Sequence, residues 1–253
     1  MTNIIAIANE KGGVAKTTTA ASLGGALVEQ GQEVLLVDLD PQASLTLAAG
    51  IYPNDLPHSV ADMLLSANTP LSLSRETSLP GLDIIPSNSE MVLAERFLPI
   101  RDNYKHILRN ALRQISMYDT ILIDCPPSIG AVTQNALVAS DLLIIPTQAE
   151  YFSAYALRNM FSMVQDIRKN ENANLKYRVL LTMLDIRLNS HNSIYKQLQT
   201  KLGDILFDTV IQIDSKFREC AIEGLPITHF TPQSRGANQY RTLAQELNLN
   251  VNR

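Results

Sequence analysis

Two lysines, two glycines and two threonines crowd into one stretch near the amino terminus, Asn9-Glu10-Lys11-Gly12-Gly13-Val14-Ala15-Lys16-Thr17-Thr18. These residue types at this spacing suit a polyphosphate. Glycines let successive backbone N–H groups turn inward around phosphate oxygens, and a helix starting just after them adds the positive end of its dipole. Lys16 then supplies a cation to the terminal phosphates, and the Thr17 hydroxyl is a ligand for the accompanying Mg²⁺. The spacing G-x-x-x-x-G-K-[ST] is not met, because Glu10 and Ala15 stand at the glycine positions. A second spacing, K-G-G-x-x-K-[ST]-[ST], is met by Lys11, Gly12, Gly13, Lys16, Thr17 and Thr18. A methyl at Ala15 fits a negative φ.

Two other segments end in carboxylates, as a Mg-nucleotide site requires. One reads Asp38-Leu39-Asp40-Pro41-Gln42 and the other Asp124-Cys125-Pro126-Pro127-Ser128. Mg²⁺ takes few direct carboxylates and keeps several waters, so Asp40 and Asp124 join Thr17 as candidate metal-holding groups, directly or through water. A carboxylate facing the last phosphate also orients an attacking water. A single Asp at a strand end is ordinarily a turn former or a helix cap. The pair gains its meaning from the phosphate loop upstream.

Several short elements must position these groups. Ile4–Ala8 and Val34–Val37 read as buried strands flanking a helix at 17–29, which Gly31 stops. Further apolar runs at 82–86, 120–123, 142–145, 177–183 and 205–211 read as strands. Helical patterns cover 152–169, 190–201 and 236–247. Ser87 and Glu90, three apart, predict a capping box at the start of a helix. Continuous apolar strands alternating with helices predict an α/β fold: a mostly parallel twisted sheet, covered by helices on both faces. Ligands of such sheets bind beyond the carboxyl ends of the strands, where the polar motifs fall.

The 253 residues are 45% hydrophobic and 18% charged, with no linker-like run, which predicts one domain over 1–253. Cys125 and Cys220 form no metal or disulfide pattern, and His58, His106, His191 and His229 share no spacing. The amino terminus has no basic n-region and no run reaches the length of a membrane span, so a cytoplasmic protein is expected. Net charge is −4, but the balance is uneven: residues 1–157 are acid-rich and 158–241 are net positive. Such asymmetry marks a polyanion-facing surface or plain solubility.

The order of loop, D-x-D-P-Q and D-x-P-P resembles the ParA family within the deviant Walker A, ParA/MinD-type P-loop ATPases. The likeness continues through Ile145-Pro146-Thr147-Gln148-Ala149-Glu150-Tyr151-Phe152, Leu180–Arg187 and Pro232–Tyr240, nearly the whole chain. The family's usual form has Gly before the second lysine, where this chain has Ala15. The resemblance implies a P-loop NTPase fold, ATP and Mg²⁺ as cofactors, and slow, partner-stimulated ATP hydrolysis. It implies that Lys11 reaches across an ATP-bound homodimer, that Asp40 positions water and that Asp124 is the Walker B acid. By the same likeness Glu150 lies near the nucleotide at the dimer face. Thr182, Met183 and the 211–214 segment, including Ile213, border the adenine. The absence of N-K-x-D favours ATP over GTP.

The family expectation is non-specific DNA binding by the ATP dimer, hence association with the nucleoid. A ParB-like or other adaptor would trigger hydrolysis, and the cargo would be a plasmid, a chromosome or a protein organelle such as a carboxysome. Cations in the net-positive stretch are the DNA-binding candidates: Arg187, Lys196, Lys201, Lys216, Arg218 and Arg235. The sequence begins with its first strand, so no amino-terminal operator-binding domain is expected. Two alternatives remain. A membrane-cycling Min-type ATPase would end in a basic amphipathic helix, whereas the final residues here are rich in Asn and poor in cations, so no membrane partner is expected. A metabolic ATP-dependent enzyme would need a substrate pocket.

Overall fold

The computed structural model describes residues 2–66, 69–150 and 153–251. Eight strands occur in chain order, β1 (Asn3–Ile7), β2 (Val34–Asp38), β3 (Arg75–Glu76), β4 (Leu82–Ile85), β5 (Thr120–Asp124), β6 (Leu142–Gln148), β7 (Lys176–Leu184) and β8 (Leu206–Gln212). The helices are α1 (Lys16–Val28), α2 (Ser44–Ala48), α3 (Val60–Ser66), α4 (Pro70–Leu73), α5 (Met91–Phe97) and α6 (Ile107–Leu112). They continue with α7 (Ala131–Ala139), α8 (Ser153–Asn170), α9 (Asn189–Leu202), α10 (Lys216–Ile222), α11 (Ile227–Phe230) and α12 (Arg235–Val251). The strands form one sheet in the order β3-β4-β2-β5-β1-β6-β7-β8. Seven run parallel, and only the two-residue edge strand β3 is antiparallel, against β4.

Alternation along the central strands divides the core. Ile4 and Ala6 of β1 face the same side as Leu35, Val37, Ile121 and Ile123, under α3, α5, α6, α7 and α8. Ile5 and Ile7 face the other side with Leu36, Leu122 and Ile144, under α1 and α12. Every second side chain thus reports one face, and both faces are dry, as the continuous apolar runs predict. Helix α1 is clasped from outside: a Cβ on Gly25 would lie 2.5 Å from Pro226. Tyr240 of α12 is fully buried with its hydroxyl 3.0 Å from that of Thr19, and Arg241 forms a two-pronged pair with Glu29 at 2.6 and 2.8 Å.

The parallel arrangement gives the sheet two unlike rims. Residues following β1, β2, β5 and β6 gather the polar motifs at the carboxyl rim. At the opposite rim the turn into β2 is formed by Gly31, at φ +81°, where an added Cβ would meet nothing within 4 Å. The expected capping box at Ser87 does not form. Helix α5 begins only at Met91, after Glu90 and without a side-chain cap, because the Ser87 hydroxyl donates instead to the carbonyl of Asp40 at 2.7 Å. The edge strand β3 and several short helices carry no pattern long enough to predict.

Candidate nucleotide site

The phosphate loop is anchored before it begins. Asn9, buried, donates from Nδ2 to the Pro146 carbonyl of β6 at 2.7 Å and accepts the Lys11 N–H on Oδ1 at 3.0 Å. The chain then turns through Gly13 at φ +70° and Ala15 at φ +67°. Ala15 is left-handed, contrary to the negative φ expected for a methyl, at a cost of roughly 1–2 kcal/mol. Helix α1 starts immediately after it with no side-chain cap and no acid in its first turn. Its first N–H groups are thereby left for an anion. Below the loop, the Thr182 hydroxyl lies 3.1 Å from the carbonyls of Val14 and Thr147. Thr182 is fully buried and braces the loop from beneath, and it takes no part in the cavity wall that Met183 and Ile213 line.

Gly12, Gly13, Ala15, Lys16, Thr17, Thr18 and Asp40 line one end of a 720 Å³ cavity. Met183, at φ +53°, and Ile213 line the other, with Phe217, Arg218 and Ala221 of α10 and Tyr240. Val14 faces the core. Burial lowers the affinity of Lys16 for its proton, while Asp124, Cys125 and Asp40 act to raise it, and its Nζ donates to the Lys11 carbonyl at 3.1 Å.

Thr17 donates to Oδ2 of Asp124 at 2.7 Å, and Oδ1 of Asp124 is buried without a partner. Asp38 and Asp124 are register neighbours on β2 and β5. Burial first, and then the neighbouring Asp38, push the Asp124 carboxyl well above the carboxylate range. Burial likewise raises Asp38, to about 6. An orphaned carboxylate oxygen beside a hydroxyl, with a second buried carboxylate alongside, is a donor set that fits a hard dication. Cys125, whose thiol burial and Asp124 push up, is no nucleophile.

Lys11 is not on the cavity wall. Its Nζ pairs with Glu150 at 2.5 Å and with Gln148 Oε1 at 3.0 Å, and it borders a separate surface depression with Glu10, Ser128, Ile129 and Tyr155. Tyr151 and Phe152, which end one quoted stretch, lie outside the described residues. The basic candidates are dispersed. Arg187 is largely exposed and paired with Asp185, Lys216 is paired with Glu219, and Arg235 donates to the Ile213 carbonyl. Lys196 and Lys201 are exposed on α9, and Arg218 is exposed at the cavity mouth. Asp38, Asn9 and Gln148, whose Nε2 also donates to the Gly13 carbonyl at 3.1 Å, were not picked out as site residues, although each stands inside a quoted motif.

Comparison with known proteins shows the family to which the chain belongs. A family model described as an AAA domain matches residues 2–177. The sporulation initiation inhibitor protein Soj of Bacillus subtilis is 39% identical over 252 residues, 99% of this chain and 100% of that protein. The chromosome partitioning protein ParA of Myxococcus xanthus is 35% identical over 246 residues, covering 96% of this chain and 87% of that one. A solved structure of cobyrinic acid a,c-diamide synthase from Mycobacterium smegmatis, with an ATP analogue and magnesium bound, superposes with a TM-score of 0.82. It is 34% identical and covers 97% of this chain and 93% of that one. ATP and Mg²⁺ are accordingly the cofactors, and the 720 Å³ cavity is the candidate site for them. A left-handed glycine-rich loop, a buried lysine and paired strand-end carboxylates around it make this chain an ATPase of the ParA/MinD-type family.

Proposed function

We propose that this protein is an ATP-dependent dimerising switch. In its ATP state it binds DNA without sequence preference, associating with the nucleoid. It segregates or positions a cargo (a plasmid, a chromosome or a protein organelle) with a ParB-like or other adaptor that stimulates hydrolysis. The observation that carries this reading is the position of Lys11. Lys11 lies off the wall of its own cavity, paired with Glu150 and Gln148 beside a surface depression, where an exchange of partners would bring its charge to another molecule's phosphates. Two such protomers face to face would each neutralise charge developing on the partner's triphosphate. Within one protomer, the loop N–H groups and Lys16 would grip the phosphates, and Thr17 and Asp124 would hold Mg²⁺, which would supply further neutralisation. Asp40, on the cavity wall, orients the attacking water. Loss of the last phosphate removes what both protomers grip, and the pair separates.

The exposed cations at the carboxyl rim and on α9 support a DNA surface, although Arg187 and Lys216 begin in local ion pairs. The test is binding to random-sequence duplex DNA with ATP, with ADP and without nucleotide, across a salt series. The expected result is binding with ATP alone that weakens steeply as salt rises. Absence of binding in all three states overturns the DNA arm. The name of the solved mycobacterial structure favours a second reading in that event, an ATP-driven amide-forming enzyme.

A further inference from the structure

Asp40 acts through a carboxylate, but its peptide groups are fixed by other residues. Oδ1 of Asp38 accepts the Asp40 N–H at 3.0 Å, and Oδ2 accepts both the N–H and the hydroxyl of Thr46 at 2.9 and 2.8 Å. The Thr46 oxygen accepts the N–H of Ser87 at 2.9 Å, and the Ser87 hydroxyl donates to the Asp40 carbonyl at 2.7 Å. The chain of bonds therefore closes on itself, from Asp40 N–H through Asp38, Thr46 and Ser87 back to Asp40 C=O. Asp38, Thr46 and Ser87 are all 0% exposed. The ring joins the end of β2, the nearby helix α2 and the residue two past β4, which lies 41 residues beyond Thr46. It holds the loop through Ala43, a non-glycine residue at φ +52°. Such a conformation persists where the surroundings over-determine it.

We propose that Thr46 and Ser87, with Asp38, are positioning residues for hydrolysis: they hold Asp40 from both sides at the angle its water requires. This rests on the reading of Asp40 as the water-orienting group. Thr46 and Ser87 do not line the cavity, so their support of Asp40 is separate from the grip on the phosphates. Displacements of about 1 Å in such a group cost on the order of 100-fold in rate. The ring also gives Ser87 a role that its sequence context, a serine three before a glutamate, does not suggest.

The experiment is steady-state ATP hydrolysis by the full chain carrying Ser87→Ala, Thr46→Val, Thr46→Ser or Asp40→Ala, with thermal melting as a folding control. The proposal expects kcat to fall roughly 10- to 100-fold in Ser87→Ala and Thr46→Val, with KM for ATP little changed. Thr46→Ser, which keeps the hydroxyl, should restore most of the rate. Ser87→Ala added to Asp40→Ala should cost nothing further, because the ring acts only through Asp40. Should Thr46→Val fail to fold, Ser87→Ala decides alone, since it removes one buried oxygen. A wild-type rate in Ser87→Ala beside a slow Asp40→Ala overturns the ring while leaving Asp40 its role. A wild-type rate in Asp40→Ala overturns the reading of Asp40 itself, and the ring with it.

Discussion

Lys11 stands between two partners: the carboxylate of Glu150 beside it and, in the proposed dimer, the phosphates of another molecule. The pair at hand is partly exposed, and such pairs contribute at most about 1 kcal/mol, so exchange is affordable. Lys11→Ala should therefore keep its fold and bind Mg-ATP in its own cavity, yet fail to dimerise when ATP is added. Sedimentation velocity with and without ATP reads this directly, and equal dimer populations in the two proteins would remove the role. At this scale the chemistry was legible because it is local. Lys16, Thr17, Asp40 and Asp124 announce themselves by type and spacing, and the structure places the first three on one cavity wall with Asp124 buried behind Thr17. Conformation was not legible. The left-handed φ of Ala15 follows no pattern of residue types, and Thr182 is held by the carbonyls of Val14 and Thr147, which no window around it contains.

Helix α1 carries the phosphate loop at one end and is fastened at the other. The Glu29–Arg241 pair ties its last turn to α12. The hydrogen bond from Arg241 holds the Glu29 carboxyl below its ordinary range, partly offset by burial. A carboxyl held low in the fold stabilises it above the unfolded pKa, and that share is lost as pH falls through the folded value. Glu29→Gln should thus melt lower than wild type at pH 7, by the equivalent of roughly 0.5–1 kcal/mol. The gap should close as pH drops below about 4, where the unfolded carboxyl protonates. Thermal melts from pH 7 to 3 measure both; a gap that persists at pH 3 would assign the loss to packing. Element types were readable wherever burial on both faces produced long apolar runs, as in β5 and β6. The reading failed at Ser87, where a cap-like spacing serves a bond to another strand's loop, and at β3, whose two residues have no periodicity.

Across the whole molecule, the acidic amino-terminal part supplies the phosphate loop and its carboxylates, and the net-positive part supplies the rest of the cavity wall and the proposed polyanion surface. Asp38 and Asp124 meet only because β2 and β5, far apart in sequence, are sheet neighbours. A buried Asp124 oxygen that accepts no hydrogen bond among the described residues opposes folding, so a dication held there should stabilise the protein beyond what nucleotide alone achieves. Thermal shift with ADP should be small in chelator and large with Mg²⁺, by about 2.7 kcal/mol at a hundredfold excess over Kd. Equal shifts would place the metal elsewhere. The unlike rims of the sheet have a practical consequence for anyone wishing to watch this protein in a living cell. Every group argued to act on nucleotide stands at the carboxyl rim, while the turn at Gly31 opens on empty space at the other. A fluorophore or epitope inserted there would sit a full strand length from the chemistry, and the tagged protein should hydrolyse ATP as the untagged one does.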